Sequence, residues 1–276
     1  MKSIYLDWNV YVYLICCEYP DIAESLGIAK SKGIAVPFSS IHIEEATNIH
    51  SYEEICTRLE FIGEISNQVY FENSVTDFGL VSRSPFEVYD TLNETPKINQ
   101  LIKFLGNIIT RPMFMASRAA LGLDPQYLNN IDPKDIWGEI DRIILNSKHL
   151  KMLPFEFRDS PIYGFVRYAK NDSLERFGRI NERIGGVKQR ASGPDVMVAV
   201  LFSLLESFGY FPENKKVFQK ASRFNDAAHC YYSLWSNICV SRDKGFRMKS
   251  KAVASLLGSD TVFLHPDNAV KKILDL

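Results

Sequence analysis

The chain has 276 residues, 46% hydrophobic and 24% charged, a balance that excludes a disordered or fibrous protein and allows a sizeable core. Its net charge is −1, so the chain as a whole advertises no polyanion partner, and no apolar run approaches the ~20 residues that span a bilayer. The five cysteines (Cys16, Cys17, Cys56, Cys230 and Cys239) are odd in number and lack C-x-x-C spacing, which excludes a disulfide framework and a zinc site. The chain opens straight into a strand pattern with no basic leader, so a cytoplasmic location is expected.

The first element is a strand in "SIYLDWN", ending in Asp7. A carboxylate there costs free energy unless it is paired, hydrogen-bonded or bound to a metal. Its plain reading is an N-cap, from Asp7 or Asn9, for the helix that follows. That helical region, "VYVYLICCEYPDIAESLGIAKSKG", closes at Gly33. "IAVPF" (34–38) reads as a second strand, and "SSIHIEEATNI" as a helix opened by Ser39 or Ser40. Strand, helix, strand, helix predicts a parallel sheet with right-handed crossovers.

From about 71 to 215 the pattern turns helical and is broken by prolines. "KINQLIKFLGNII", "KDIWGEIDRIIL" and "DVMVAVLFSLLESFGY" are the predicted helices. Strands return at "ICVS" (238–241) and "TVFLHP" (261–266). The expected organisation is one α/β domain over 1–276, with a core at 1–70 and 216–276 and a mainly helical insertion at 71–215.

The acids fall at telling places. Asp7 ends the first strand, and Asp243 follows the strand "ICVS". Glu44 and Glu45 lie early in the helix after the second strand. Asp226 begins "NDAAHCYYSLWS", with His229 one turn later on the same face. Ligands of open α/β sheets bind outside the carboxyl ends of the strands. Carboxylates converging there stay ionised together when divalent cations neutralise them, and hard cations take oxygen ligands. Such a cation clamps a phosphodiester and activates a bound water.

The stretches "YLDWN", "FSSIHIEEA", "FNDAAH" and "VSRDKGFRMKSKAV" together resemble the PIN-domain nucleases, over roughly residues 1–65 and 220–276. The resemblance implies a three-layer α/β/α fold and a Mg²⁺- or Mn²⁺-dependent nuclease, most often an endoribonuclease of toxin, defence or RNA-processing type. It implies Asp7, Glu45, Asp226 and Asp243 as catalytic metal ligands, with Glu44 the neighbour that competes with Glu45. Asn9, Ser241 and His229 are expected to support them. RNA is the expected substrate, with DNA the other candidate, and a homo-oligomer or a regulatory protein partner is left open.

The charge distribution agrees in sign. Lys215 to Lys251 holds nine Lys/Arg against two Asp/Glu, while Glu18 to Glu64 holds nine acids against three bases. Arg242, Lys244, Arg247 and Lys249 flank Asp243 and are the expected phosphate contacts, with Lys251 beyond them. Two rivals stand beside this reading. One is a catalytically inactive scaffold of the same fold that binds RNA or a protein. The other is an aspartyl phosphatase, which "LDWN" disfavours because it lacks the second Asp of D-x-D. His42, His50, His149 and His265 lack metal-ligand spacing and are expected to be structural. Trp8, Trp137 and Trp235 are expected in the core. "VKQRASGPDV" lacks the P-loop spacing.

Overall fold

The structure, a computed structural model, describes residues 1–49, 51–73, 77–94, 118–119, 122–146, 188–189, 194–212 and 222–276. In chain order they form β1 (Ile4–Leu6), α1 (Trp8–Ile15), α2 (Pro20–Ser31), α3 (Ser40–Ala46), α4 (Tyr52–Ser66), β2 (Val69–Asn73), β3 (Asp77–Ser82) and α5 (Pro85–Glu94). Then follow α6 (Pro125–Leu128), α7 (Ile136–Leu145), β4 (Lys188–Gln189), α8 (Pro194–Phe208) and α9 (Ser222–Ser233). The chain closes with β5 (Ile238–Val240), α10 (Lys244–Leu257), β6 (Val262–Leu264) and α11 (Ala269–Leu274).

A parallel sheet of order β1-β5-β6 forms the centre. Its register sets Ile4 opposite Ile238, Tyr5 opposite Cys239 and Leu6 opposite Val240. On the other side of β1, Ser3 bridges Ala35 in parallel, and further along Phe38 bridges Tyr70 in parallel. Residues 35–38 therefore stitch the parallel sheet to the antiparallel set β2-β3-β4. "IAVPF" was expected to be a full strand, but it makes only these two bridges. Pro37 has no N–H to give a ladder, so pairing breaks within the segment.

β1 is thus where the connectivity reverses. The chain leaves it first toward residues 35–38, and later returns on its other flank as β5. A crevice opens at the carboxyl ends of neighbouring parallel strands at such a switch point. Asp7 and Ser241 stand at that end, one residue beyond β1 and β5. Backbone bonds carry the sheet that far: Asp7 N–H donates to Val240 O at 2.9 Å, and Ser241 N–H to Leu264 O at 3.0 Å.

Strand alternation divides the interior into two cores. Ile4, Leu6, Ile238 and Val240 pack with Ile22, Leu26, Ala269 and Ile273. Tyr5, Cys239 and Phe263 pack on the opposite face with Leu201, Phe202, Tyr231, Trp235 and Val253. Helices therefore cover both faces of the sheet. Each fully buried large aliphatic side chain stabilises the fold by roughly 1.5–3 kcal/mol.

Several expectations are corrected. The helix predicted from about 10 to 33 is two helices, because Pro20 cannot continue α1 and instead occupies the first turn of α2. The region after residue 70 is not helical at once: β2 and β3 pair antiparallel from Val69↔Ser82 to Asn73↔Phe78. Asp226 does not begin its helix, since α9 starts at Ser222. α7 and α8 match two predicted helices. Their residues Ile136, Trp137, Ile140 and Leu201 share a core with Tyr5, and Trp137 Nε1–H donates to Ala252 O at 2.8 Å. "KINQLIKFLGNII", His50, His149 and most of "VKQRASGPDV" lie outside the described residues.

Candidate active site at the end of the first strand

Asp7 occupies the N-cap position of α1, yet its carboxylate makes no capping bond. It is buried and turned to the β5 side. Ser241 Oγ–H donates to Asp7 Oδ2 at 2.5 Å, and Asn9 Nδ2–H donates to the same oxygen. Asn9 Oδ1 in turn accepts the Arg242 N–H at 3.1 Å. The two residues expected to support Asp7 thus fix one of its oxygens. The other, Oδ1, lies 3.9 Å from His229 Nε2.

Glu45 comes from α3, whose N-cap is Ser39. Glu45 meets α9. Its Oε2 lies 2.7 Å from His229 Nε2, and its Oε1 accepts Asn225 Nδ2–H at 3.0 Å. Asp243 caps α10 through Oδ1, which accepts the Phe246 N–H at 2.8 Å. Its own N–H donates to Ser241 Oγ at 3.1 Å. Asp226 lies on α9 one turn before His229 and acts on it through charge.

The electrostatics follow from burial and these neighbours. Burial pushes the Asp7 carboxyl up; the His229 charge and the Ser241 hydroxyl pull it back, Glu45 and Asp243 push it up again, and the net shift is upward. For Glu45, burial pushes upward, but the His229 charge and the bonds from His229 and Asn225 outweigh it, so its pKa falls below 4.5. Burial pulls His229 down, but Glu45, Asp7 and Asp226 raise it above 6.5. His229 and Glu45 therefore each favour the other's charged form.

The carboxylates are gathered less tightly than expected. Glu45 and Asp243 each act on Asp7 through charge, and His229 Nε2 faces both Asp7 and Glu45. Among the described residues, no group of three or more His, Cys, Asp or Glu side chains is arranged to hold a metal ion.

Of the expected phosphate contacts, Arg242 and Lys244 are exposed beside Asp243. The Arg242 guanidinium sits 4.4 Å from the Tyr13 ring centroid, and the Lys244 ammonium 5.4 Å from that of Phe211. Arg247 is half-buried and donates to Ser241 O at 2.6 Å, so it braces the loop that carries Ser241. Lys249 is corrected outright. It is 1% exposed, its Nζ lies 3.1 Å from Glu206 Oε2 and 4.6 Å from the Phe202 ring, and it cannot meet a substrate.

Three buried groups behind the site, Tyr5, Ser39 and His42, connect to it through His229; the connection was not anticipated, although Ser39 was expected as an N-cap and His42 as a structural residue. Tyr5 stands two residues before Asp7 and so shares its face of the sheet. Ser39 and His42 have the spacing of a capping box, with the histidine side chain in the acid's place. Those two spacings were the available signals. Comparison with family models, with curated proteins and with solved structures finds no match.

Proposed function

We propose that this chain is a metal-dependent nuclease of PIN-like type that hydrolyses phosphodiester bonds, with RNA as its first substrate. The observation that carries this reading is Asp7. It is buried at the topological switch point, held through one oxygen by Ser241 and Asn9, and pushed toward its neutral form by burial and by Glu45 and Asp243. A structural carboxylate is ordinarily relieved of such pressure, whereas sites that bind cations concentrate it.

The donor set fits Mg²⁺ or Mn²⁺ by its chemistry. Asp7, Glu45 and Asp243 offer only carboxylate oxygens, whose mutual repulsion a hard divalent cation relieves. Asp226 is the fourth acid of the set. Such a cation, when bound, supplies charge for the scissile phosphate and an activated water. The chain's own residues do the rest. Asn9 and Ser241 orient Asp7, and Asp243 is set by its cap on α10. Arg242 and Lys244 present positive charge at the rim.

The test is incubation with labelled single-stranded RNA in Mn²⁺ or in EDTA. Cleavage that needs Mn²⁺ and vanishes in Asp7→Asn supports the proposal; a wild-type protein inert with Mn²⁺ on RNA and DNA contradicts it. The inactive RNA- or protein-binding scaffold is favoured by one observation, that His229 already answers the charge of Glu45. Binding of RNA without binding of Mn²⁺ selects it.

A further inference from the structure

Behind the carboxylates lies a hydrogen-bond chain whose direction its ends dictate. The Leu6 carbonyl only accepts, and His42 Nε2 lies 2.7 Å from it, so Nε2 carries a proton. The Ser39 N–H only donates, and it points at His42 Nδ1 at 3.0 Å, so that nitrogen is bare. Ser39 Oγ is 3.0 Å from the same bare nitrogen and must therefore donate to it. Ser39 Oγ is also 2.9 Å from Tyr5 Oη, which leaves the Tyr5 hydroxyl as donor. Tyr5 Oη is 2.8 Å from His229 Nδ1 and, having spent its proton on Ser39, accepts from it. Every member is buried to 1% exposure or less, so no bulk water competes for these bonds.

We infer that Tyr5, Ser39 and His42 are positioning residues, forming a one-way chain anchored on the Leu6 carbonyl that keeps the His229 Nδ1 proton in the core and aims Nε2 alone at Glu45 and Asp7. The anchor and the target are neighbours in sequence: the chain starts at the Leu6 carbonyl and ends beside Asp7. β1 also supplies Tyr5 and Asp7 follows it directly, so the same stretch of chain sets both the orientation of His229 and the carboxylate that it faces. The inference holds for His229 with or without a proton on Nε2. It rests on Glu45 and Asp7 being the site, but its main readout uses no catalysis.

Long-range ¹H–¹⁵N spectra of the imidazoles test it, with the five histidines assigned by His→Gln variants. The expected result is a neutral His42 protonated at Nε2, and a His229 whose Nδ1 remains protonated at alkaline pH, after any proton on Nε2 has been lost. Tyr5→Phe removes the acceptor, so neutral His229 shifts its proton to Nε2. Where RNA is cleaved, the same variant lowers kcat by about tenfold at unchanged KM, as loss of a supporting hydrogen bond does in metal sites. A bare Nδ1 on His229 in the wild type, or a proton on Nδ1 of neutral His42, overturns the inference. So does a Tyr5→Phe protein with unchanged tautomers. The wild-type spectrum decides alone if Tyr5→Phe fails to fold. Correct tautomers in a protein that cleaves nothing would leave the chain standing and remove only the nuclease reading.

Discussion

His229 Nε2 and Glu45 Oε2, 184 residues apart in sequence, meet at 2.7 Å and tie α9 to α3 across the candidate site. The His229 side chain is 1% exposed and that of Glu45 19%, so the pair is worth more than a surface ion pair and less than a fully dry one. His229→Gln is expected to destabilise the fold by about 2 kcal/mol near pH 6, less than the ~3–5 kcal/mol of a fully buried broken pair. Urea denaturation of wild type and variant gives that difference.

The same pair fixes a pH signature. The folded pKa of His229 lies above 6.5, so its contribution is complete below pH 6.5 and is lost as pH rises through the folded value. The folded pKa of Glu45 lies below 4.5, so its contribution is present above pH 4.5 and is lost as pH falls through the folded value. The stability gap between wild type and His229→Gln is therefore widest between pH 4.5 and 6.5 and narrows on both sides. A gap that grows steadily toward alkaline pH contradicts this pairing.

Asp7 has the opposite sign. Its folded pKa is raised, so its ionised form costs stability at neutral pH, and that cost disappears on acidification. Asp7→Asn is expected to match or exceed the wild type in urea midpoint at pH 7 without divalent cation, and to abolish cleavage. Addition of Mn²⁺ should raise the wild-type melting temperature and leave that of Asp7→Asn unchanged.

The outline of the fold was legible where local rules decide it. β1, β5 and β6 are short apolar runs between turn or cap signals, and α7 and α8 have clear helical patterning. Pro37 weakened a strand whose composition otherwise looked right. The β2–β3 pair was missed because strong helical patterns on both sides drew the boundary of the insertion to residue 70. Asp7, Glu45 and Asp243 were legible because carboxylates at strand ends and early helix turns are chemically conspicuous. The role of His229 as the group facing both Asp7 and Glu45 was not, since it depends on how α9 lies against β1. Lys249 shows the same limit: in "RMKSK" it looks like the exposed Lys251, and only the packing of α10 on α8 sends it to Glu206.

That buried pair gives a separate expectation. Lys249→Ala leaves Glu206 charged and buried without this partner, and should cost about 3–5 kcal/mol of stability. Lys249→Met with Glu206→Leu should recover most of that loss, because an apolar pair of similar volume avoids the desolvation cost. Thermal melts of the two proteins, compared with wild type, provide the check.

Nucleic-acid affinity should depend on the exposed members of the same stretch. Arg242→Ala and Lys244→Ala are each expected to reduce the slope of log affinity against log salt by about one unit on a non-cleavable RNA. Lys249→Met with Glu206→Leu should leave that slope unchanged. Equal effects from all three proteins would place the RNA path elsewhere.

The central claim is a divalent-cation site at Asp7, and the most direct measurement is an isotherm of Mn²⁺ binding, by calorimetry or by loss of the free-ion spin-resonance signal, for wild type and Asp7→Asn. The expected result is saturable Mn²⁺ binding to the wild type at up to millimolar concentrations, competed by Mg²⁺, and weakened at least tenfold in Asp7→Asn, a loss of about 1.4 kcal/mol or more. No saturable binding to the wild type, or equal binding to both proteins, would contradict it.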